Sequence, residues 1–252
     1  MRAVSFIRRE PFYRAEAFRQ GLKRVGFTLV DSLRPEGPED WAIFWNRKAG
    51  AEEAKAEEFE RLGGTVIIAE NAYLQKVDKT FYAISVHGHA GSGWSPVGPE
   101  DRFTKLGFTL KPWGVHLVGG HRLVCGQRSI GSQLMRSPPG WAEKTAQRLR
   151  AKGIRYKLRL HPGNWAPKIP LIDDLRACSG VDIWSSACGV LSLVEGIEVH
   201  HSAPHWICEN GNGEIERKFA LHRMSHAQWH HEEIAQGTPF ARIIEQRSKA
   251  SW

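Results

Sequence analysis

Apolar runs of strand length alternate with stretches of helical periodicity along residues 1–75. Between residues 12 and 25, apolar side chains recur at the three- and four-residue spacing of one helical face, and Gly26 ends that pattern. The β-branched run 65–69 is typical of a buried parallel strand. The pattern predicts strands at 3–7, 27–30, 41–45 and 65–69 and helices at 12–25 and 49–62. Strands and helices that alternate in this way indicate a parallel α/β sheet.

The alternation is interrupted and then restarts. A strand is predicted at 81–86, and the segment 87–99, which is rich in glycine and proline, is predicted to be a loop. Farther along, strands are predicted at 122–125, 156–160, 181–184 and 197–199, and helices at 141–152 and 171–178. A further helix is predicted to begin near Ser185 and Ser186 and to end at Val194. Residues 214–252, including His226, Trp229, His230 and His231, are predicted to be helical. We therefore predict an α/β protein with two Rossmann-like domains facing a cleft, residues 1–112 and 113–252, and helices at the C-terminus.

Composition narrows the class of protein. The 252 residues suit two compact domains, and a hydrophobic fraction of 41% is ordinary for a globular chain. Since no apolar run approaches the roughly 20 residues that span a bilayer, and residues 1–9 are too charged for a signal peptide, we expect a cytoplasmic protein without a membrane partner. Four cysteines without a C-x-x-C pair indicate free thiols. The net charge of +8 attracts polyanions such as nucleic acid, or anionic substrates such as nucleotide sugars, although a merely basic surface gives the same number.

Polar residues follow three predicted strands in the second half of the chain. Because ligands of open parallel sheets bind outside the carboxyl ends of the strands, we expect these residues to form a binding site. They are Gln127, Arg128, Ser129, Arg159, His161, Ser185, Ser186 and Gly189. Arginine grips phosphate bidentately, and serines at a helix start suit an anion, although a helix cap or a surface charge explains each residue alone. We predict that Arg128, Arg159, His161 and Ser186 line one anionic pocket, and that Arg159→Ala weakens ligand binding without affecting folding.

The first half offers candidates for a general base. Glu70 follows the strand 65–69, His87 and His89 follow the strand 81–86, and Asp101 lies beyond the loop. Each has a structural alternative, as a neighbour of a helix cap or as part of the loop. The same half also contains five residues that we expect to contact a second substrate: Arg8, Arg9, Glu10, Asn46 and Trp94. The dense run of His200, His201, His205 and Cys208 matches no familiar metal spacing, so we expect no metal.

A resemblance to a known family rests on several of these segments. The segments are Arg159-Leu160-His161-Pro162-Gly163, then Ile183-Trp184-Ser185-Ser186, then the run from Leu193 to Val199. Together they resemble the donor domain of GT-B-type glycosyltransferases, and look closest to the capsule-polysaccharide-like branch and to glycosyltransferase-like proteins of bacteriophages. The loop from His87 to Trp94, Asp101-Arg102-Phe103 and Trp113 are also similar to the bacteriophage proteins. One position departs from the family, because Leu191 stands where many members carry a ribose-binding glutamate.

The resemblance implies a donor, an acceptor and a reaction. It implies transfer of a sugar from a nucleotide sugar, most often a UDP-sugar, to a hydroxyl group, with no permanently bound cofactor. The bacteriophage branch, together with the basic charge, implies hydroxymethylated pyrimidines of double-stranded DNA as acceptor, reached by base flipping. A polysaccharide or lipid acceptor fits the same fold. A non-catalytic nucleic-acid-binding protein and a sugar-nucleotide epimerase or hydrolase remain open alternatives.

Overall fold

The computed structural model describes residues 1–8, 12–74, 80–114, 120–161 and 169–249. The strands are β1 Arg2–Ser5, β2 Thr28–Leu29, β3 Asp40–Trp45, β4 Thr65–Asn71, β5 Phe81–Val86, β6 His121–Cys125, β7 Tyr156–Arg159, β8 Cys178–Ile183, β9 Val199–His201 and β10 Gln228–His230. The helices are α1 Phe12–Arg24, α2 Ala51–Arg61, α3 Arg102–Lys105, α4 Trp141–Ala151, α5 Leu171–Arg176, α6 Cys188–Val194, α7 Glu216–Ala227, α8 His231–Ala235 and α9 Thr238–Lys249. The expected α/β class is confirmed. Within the described part of the chain, none of the helices has the length and apolar character needed to cross a bilayer.

The chain divides into two compact units, each built from separate segments. Unit 1 comprises Met1–Glu100, Gly131–Gln133 and His226–Trp252, and unit 2 comprises Asp101–Ile130 and Leu134–Ser225. The division differs from the one predicted at residue 112. Backbone hydrogen bonds explain the difference, because Lys111 N donates to Val194 O at 2.8 Å within unit 2, and β10 joins the sheet of unit 1.

The sheet of unit 1 has six strands in the order β10-β5-β4-β3-β1-β2. Strands β2, β1, β3 and β4 are parallel, as their buried apolar runs predicted. Strand β5 runs antiparallel to β4, with Ile67 opposite Val86, and β10 runs antiparallel to β5. The C-terminal end of β5 therefore lies beside the amino end of β4. The residues that follow β5 thus begin at the amino end of β4, not at its carboxyl end.

Both faces of this sheet are covered by helices. On one face, Phe18 of α1 and Phe240 and Ile243 of α9 pack with Trp229 in one buried cluster. On the other face, Phe59 of α2 joins a second buried cluster with strand residues of β1, β3 and β4. At Gly21 a side chain is excluded, because an added Cβ would lie 1.8 Å from Ile234 O of α8. The central strands of unit 1 alternate between these two apolar layers, which is why their residues are buried on both sides.

The prediction of helix throughout residues 214–252 is wrong at Gln228–His230. These three residues form β10, with Trp229 opposite Tyr82 of β5. Trp229 is fully buried, and His231 N donates to Thr80 O at 2.9 Å. The short strand is stabilised by pairing with a distant segment rather than by its own sequence, so two flanking helical patterns concealed it.

The sheet of unit 2 has four parallel strands in the order β7-β6-β8-β9. From β6 the chain passes through α4 to β7 at one side, then through α5 to β8 at the other side of β6. The connection therefore changes direction between β6 and β8, and the loops after these two strands diverge at their carboxyl ends. In open α/β sheets such a switch point forms a crevice that binds ligands.

Candidate functional site

A cavity of about 310 Å³ opens at the carboxyl end of the unit 2 sheet. Its walls are the loop after β6, the start of α4 and the end of β7; they include Gly126, Gln127, Arg128, Ser129, Ser137, Trp141, Ala142, Glu143, Leu160 and His161. Gly140 precedes α4 with φ of 69° and provides no side-chain cap. Because the first N–H groups of a helix lack intrahelical partners, the start of α4 presents backbone donors and partial positive charge here.

Two of the predicted binding residues, Arg128 and His161, meet in this cavity. Arg128 is exposed to solvent. Burial, followed by the positive charge of Arg128, lowers the pKa of His161 below its usual range. His161 is therefore neutral at pH 7 and offers a hydrogen bond rather than a second charge. Ser129 Oγ donates to Ser137 O at 2.6 Å and fixes the loop that carries Arg128.

Gln127 joins the two loops of the switch point. Its amide oxygen accepts a hydrogen bond from Ser185 N at 3.1 Å, and its amide nitrogen donates to Ser185 Oγ at 3.3 Å. Ser186 Oγ accepts from Cys188 N at 3.3 Å, as a serine near a helix start commonly does. Among the described residues that line the cavity, neither serine appears. Ser185 and Ser186 stabilise the loop after β8 through these hydrogen bonds.

Gly189 has a packing role. A Cβ at this position would lie 2.6 Å from Ile183 Cδ1 and 2.7 Å from Trp206 Cζ2. Both contacts are shorter than van der Waals distance, so only glycine lets α6 approach β8 this closely. The residue supports the site by fixing α6 against the sheet.

Arg159 is engaged away from the cavity. Its guanidinium forms an ion pair with Asp174 of α5 and donates to Ile169 O at 2.9 Å. Lys157 Nζ approaches the same carboxylate at 2.5 Å, and the Asp174 side chain is only 2% exposed. Burial raises the pKa of Asp174, but hydrogen bonds from Lys157 and Arg159 outweigh it and hold that pKa low. Of the four residues predicted to share one pocket, the described lining contains Arg128 and His161 only.

In unit 1, Glu70 lies at the carboxyl end of β4 with its carboxylate held in place. Oε1 accepts a hydrogen bond from Tyr73 OH at 2.5 Å and another from Ala90 N at 3.0 Å. Ala90 belongs to the loop after β5 and has φ of 52°, and His87 in the same loop has φ of 68°. Residues held at positive φ without being glycine store strain, and such strain is concentrated at functional sites.

His87 is placed at the opposite end of β4 from Glu70. His87 N donates to Val66 O at 2.8 Å, because β5 is antiparallel to β4. Its Nδ1 lies 2.8 Å from Glu60 Oε1, and Arg47 binds the same carboxylate at 2.7 Å. Burial raises the pKa of Glu60, but the His87 and Arg47 hydrogen bonds outweigh it, so the pKa is lowered. Because β5 is antiparallel to β4, the two candidate bases lie at opposite ends of β4.

The other residues that were predicted in the first half for catalysis or acceptor contact lie in separate places. His89 is buried, and Asp101 caps α3 by accepting from Thr104 N at 3.0 Å. Asn46 N donates to Ala69 O at 2.8 Å, and the Trp94 backbone pairs with Val86. Trp94 and His87 line a second cavity of about 620 Å³ beside Glu60 and Arg247. Arg8 is exposed, and the predictions for Arg9 and Glu10 lie outside the described residues.

The histidine-rich run after β9 does not gather into one cluster in the described part of the chain. His201 packs its ring against Trp206 at 5.6 Å, and Cys208 is fully buried with a raised pKa. Among described residues, no group of three His, Cys, Asp or Glu side chains converges closely enough to hold a metal ion. His201 and Cys208 pack against neighbouring residues, whereas His200 and His205 are exposed.

Two α/β units with largely parallel sheets, and polar loops where the strands end, define the fold class found in glycosyltransferases. Similar solved structures include two from Thermosulfurimonas dismutans. One is KpsC, beta Kdo 2,4 transferase, with a TM-score of 0.52, 12% identity and 89% of each chain covered. The other is KpsC, beta Kdo 2,7 transferase, with a TM-score of 0.53 and 10% identity, covering 96% of this chain and 99% of that chain. No family model and no curated protein matches the sequence.

At these identities the likeness shows the fold alone, and it confirms the expected glycosyltransferase fold. Membership of the bacteriophage branch stays a prediction. Sequence reasoning identified Arg128 and His161 through their positions after strands, but it missed Gly140, Trp141 and Glu143 at the start of α4. The Pro138-Pro139-Gly140 turn before a helix was the signal that pointed there.

Proposed function

We propose that this protein is a glycosyltransferase that moves a sugar from a nucleotide-activated donor to a hydroxyl acceptor. The observation that carries the proposal is the cavity at the unit 2 switch point, where the start of α4, Arg128 and His161 converge. The shared fold with two solved sugar transferases supports it. Such convergence of backbone donors and a cation suits the phosphate of a nucleotide.

Each wall of the cavity has a role in donor binding under this proposal. Arg128 pairs with phosphate oxygens, the first N–H groups of α4 donate to them, and neutral His161 adds one hydrogen bond. Trp141 and Leu160 supply apolar surface for the base or the sugar ring. Glu143 brings a carboxylate to the same cavity and is placed to accept hydrogen bonds from ribose hydroxyls. Glu143 thus provides the ribose-binding carboxylate that is missing at position 191, where this chain has leucine.

The proposed base is Glu70. In a direct displacement the acceptor oxygen bonds to the anomeric carbon, the bond from that carbon to the donor phosphate breaks, and the acceptor proton passes to the base. Tyr73 and Ala90 orient the Glu70 carboxylate for this step. Arg128 and the α4 N–H groups stabilise the charge on the leaving phosphate. His87, paired with Glu60, is the second candidate because an oriented imidazole is also a competent base.

Two classes of acceptor are compatible with this donor cavity. The net charge of +8 and the resemblance to bacteriophage proteins favour DNA that carries hydroxymethylated pyrimidines. The solved neighbours are named as Kdo transferases, which favours saccharide acceptors and Kdo donors. Both classes present a hydroxyl group, so the same donor cavity serves either one.

The test is a transfer assay that reads the mass of the acceptor. The acceptors are oligosaccharides and DNA duplexes with and without hydroxymethylated pyrimidines. The donors are UDP-, GDP- and CMP-linked sugars, with nucleotide-linked Kdo among them. We expect a gain of one sugar mass with one donor and one acceptor class, lost in Glu70→Gln and strongly reduced in Arg128→Met. His87→Gln serves as the comparison, and loss of transfer there with an active Glu70→Gln reassigns the base. Absence of transfer with every pair contradicts the proposal.

The open alternatives give different signatures in the same experiment. A non-catalytic nucleic-acid-binding protein shows no thermal shift with any nucleoside mono- or diphosphate, because ligand binding to the folded state raises the melting temperature. An epimerase or hydrolase consumes the donor when no acceptor is present. Donor consumption that depends strictly on acceptor separates transfer from both.

A further inference from the structure

The segment 144–157 concentrates positive charge in a short stretch of chain. It contains Lys144, Arg148, Arg150, Lys152, Arg155 and Lys157, and it contains no aspartate or glutamate. The whole chain has a net charge of +8, so this one segment carries a large part of the excess. The segment covers the last turns of α4 and the beginning of β7.

The C-terminal part of this segment, from Arg150 to Lys157, lines a cavity of about 570 Å³ at the amino end of the unit 2 sheet. Lys144 and Arg148 precede it along α4. Arg150, Arg155 and Lys157 line the cavity together with Tyr156 and with His121, the first residue of β6. Since β6 and β7 are parallel, this cavity lies at the opposite edge of the sheet from the donor cavity. The two cavities are therefore separate sites on one unit.

Most of the charge is available to a ligand. Lys144, Arg150, Lys152 and Arg155 are exposed, whereas Lys157 is paired with Asp174. His121 Nε2 is a buried atom with no hydrogen-bond partner among the described residues. Burial, and then the charge of Lys157, lowers the pKa of His121; Asp174 opposes this shift, and Arg155 adds a smaller lowering effect. The cavity is thus a region of positive potential with an unused hydrogen-bonding group.

We propose that this cavity and its cationic rim bind the phosphate backbone of nucleic acid. From Lys144 to Lys152 the helix extends about 12 Å, which corresponds to roughly three phosphates along one strand. A single small anion would occupy one or two of these cations, whereas a polymer of phosphates engages them in series. Tyr156 is 36% exposed beside them and offers a ring on which a base stacks. The inference is independent of sugar transfer and stands or falls without it.

The test is fluorescence anisotropy with a labelled duplex of about 20 base pairs, long enough to span the rim, and a single strand of equal length, over a range of salt concentrations. The variant Arg150→Ala/Lys152→Ala/Arg155→Ala removes three exposed charges from the rim. The matched control Arg19→Ala/Lys23→Ala/Arg24→Ala removes three charges from α1 in unit 1. Circular dichroism and nucleotide binding by the donor cavity show that each variant is folded.

We expect the rim variant to lose tenfold or more in affinity for nucleic acid while the control stays within about threefold. The slope of log affinity against log salt should also fall by roughly two to three in the rim variant, near 0.9 for each lost phosphate contact. Equal losses in the two variants, or no binding by the parent protein at low salt, overturn the proposal. Equal binding of an acidic polysaccharide or anionic vesicles, lost in the same variant, also overturns it and reassigns the surface. Nucleotide binding without nucleic-acid binding leaves the proposed transferase intact and defeats this inference alone.

Discussion

At the carboxyl end of the unit 2 sheet, the neighbouring strands β6 and β7 lead to two arginines with different surroundings. Arg128, after β6, is exposed and lines the cavity at the carboxyl end of the sheet beside His161. Arg159, at the end of β7, has a side chain only 16% exposed and paired with the buried carboxylate of Asp174. One arginine is left for a ligand, and the other is used by the fold.

The difference arises from the segment that the chain forms after each strand. After β6 the chain enters a loop held by Ser129, and Gly140 precedes α4, so no side chain caps that helix. After β7 the helix α5 places Asp174 against Lys157 and Arg159. A cation at a strand end therefore indicates a candidate site. Whether its charge is paired depends on the side chains of the following helix, as Asp174 of α5 shows.

The largest expected effect is on stability. Arg159→Met leaves Asp174 buried with Lys157 as its remaining partner, and breaking a buried pair from one side is strongly destabilising. We expect the free energy of unfolding to fall by about 3 kcal/mol, measured by urea denaturation. Arg128→Met is the control and should change it by less than about 0.5 kcal/mol. Equal effects of the two substitutions would remove the distinction between these regions.

The next effect concerns ligand binding. Arg128→Met should weaken nucleotide binding by about 2 kcal/mol, near thirtyfold, because a charged hydrogen bond to phosphate is lost. Calorimetry at a temperature where both variants are folded measures it. Arg159→Met should bind as the parent does, contrary to the expectation from sequence that its loss weakens binding. Weaker binding in Arg159→Met than in Arg128→Met would exchange the two assignments.

Acid should weaken the ion pair of Asp174 with Lys157 and Arg159. The Asp174 pKa is lower in the folded state than in the unfolded chain, because hydrogen bonds from Lys157 and Arg159 outweigh burial. Its stabilising contribution is therefore complete above about pH 4 and is lost as pH falls further. Urea midpoints at successive pH values should decline in the parent and in Arg128→Met, and less steeply in Asp174→Asn. A decline in Asp174→Asn as steep as the parent's counts against this ion pair.

The smallest effect is a change in one pKa. Burial and the charge of Arg128 both lower the pKa of His161. In Arg128→Met the His161 pKa should move upward and stay below its usual range, since burial remains. Titration of the imidazole by NMR measures this shift, with His200 as an exposed control. An unchanged His161 pKa would show that the two side chains do not share the cavity.

Much of the fold can be predicted from the sequence because parallel strands that are buried on both faces appear as continuous apolar runs. These apolar runs predicted β4 and β6, and the three- and four-residue spacing of apolar side chains predicted helices between the strands. The pattern gave no information on the direction of β5, which is set by pairing with β4. It also missed β10, whose three residues become a strand only beside β5.

The candidate site was predicted in part for a similar reason. The rule that ligands bind at the carboxyl ends of strands identified Arg128 and His161, which are local features of the chain. The partner of Arg159 is Asp174, 15 positions later, and their contact depends on how α5 packs. The orientation of Glu70 likewise depends on Tyr73 and Ala90 being brought together by the loop after β5. Pairings of this kind are tertiary, and one sequence does not specify them.

The return of the chain to the first sheet has a consequence for biosynthesis. Unit 2 is complete in sequence at Ser225, whereas the core of unit 1 still needs Trp229, Phe240 and Ile243. A ribosome adds about 5–20 residues per second, so the residues of unit 1 made first wait for this segment with Phe18 and Leu22 of α1 incompletely covered. The unit begun first is thus finished last, and a chain truncated before β10 lacks the apolar side chains of Trp229, Phe240 and Ile243 that pack with α1.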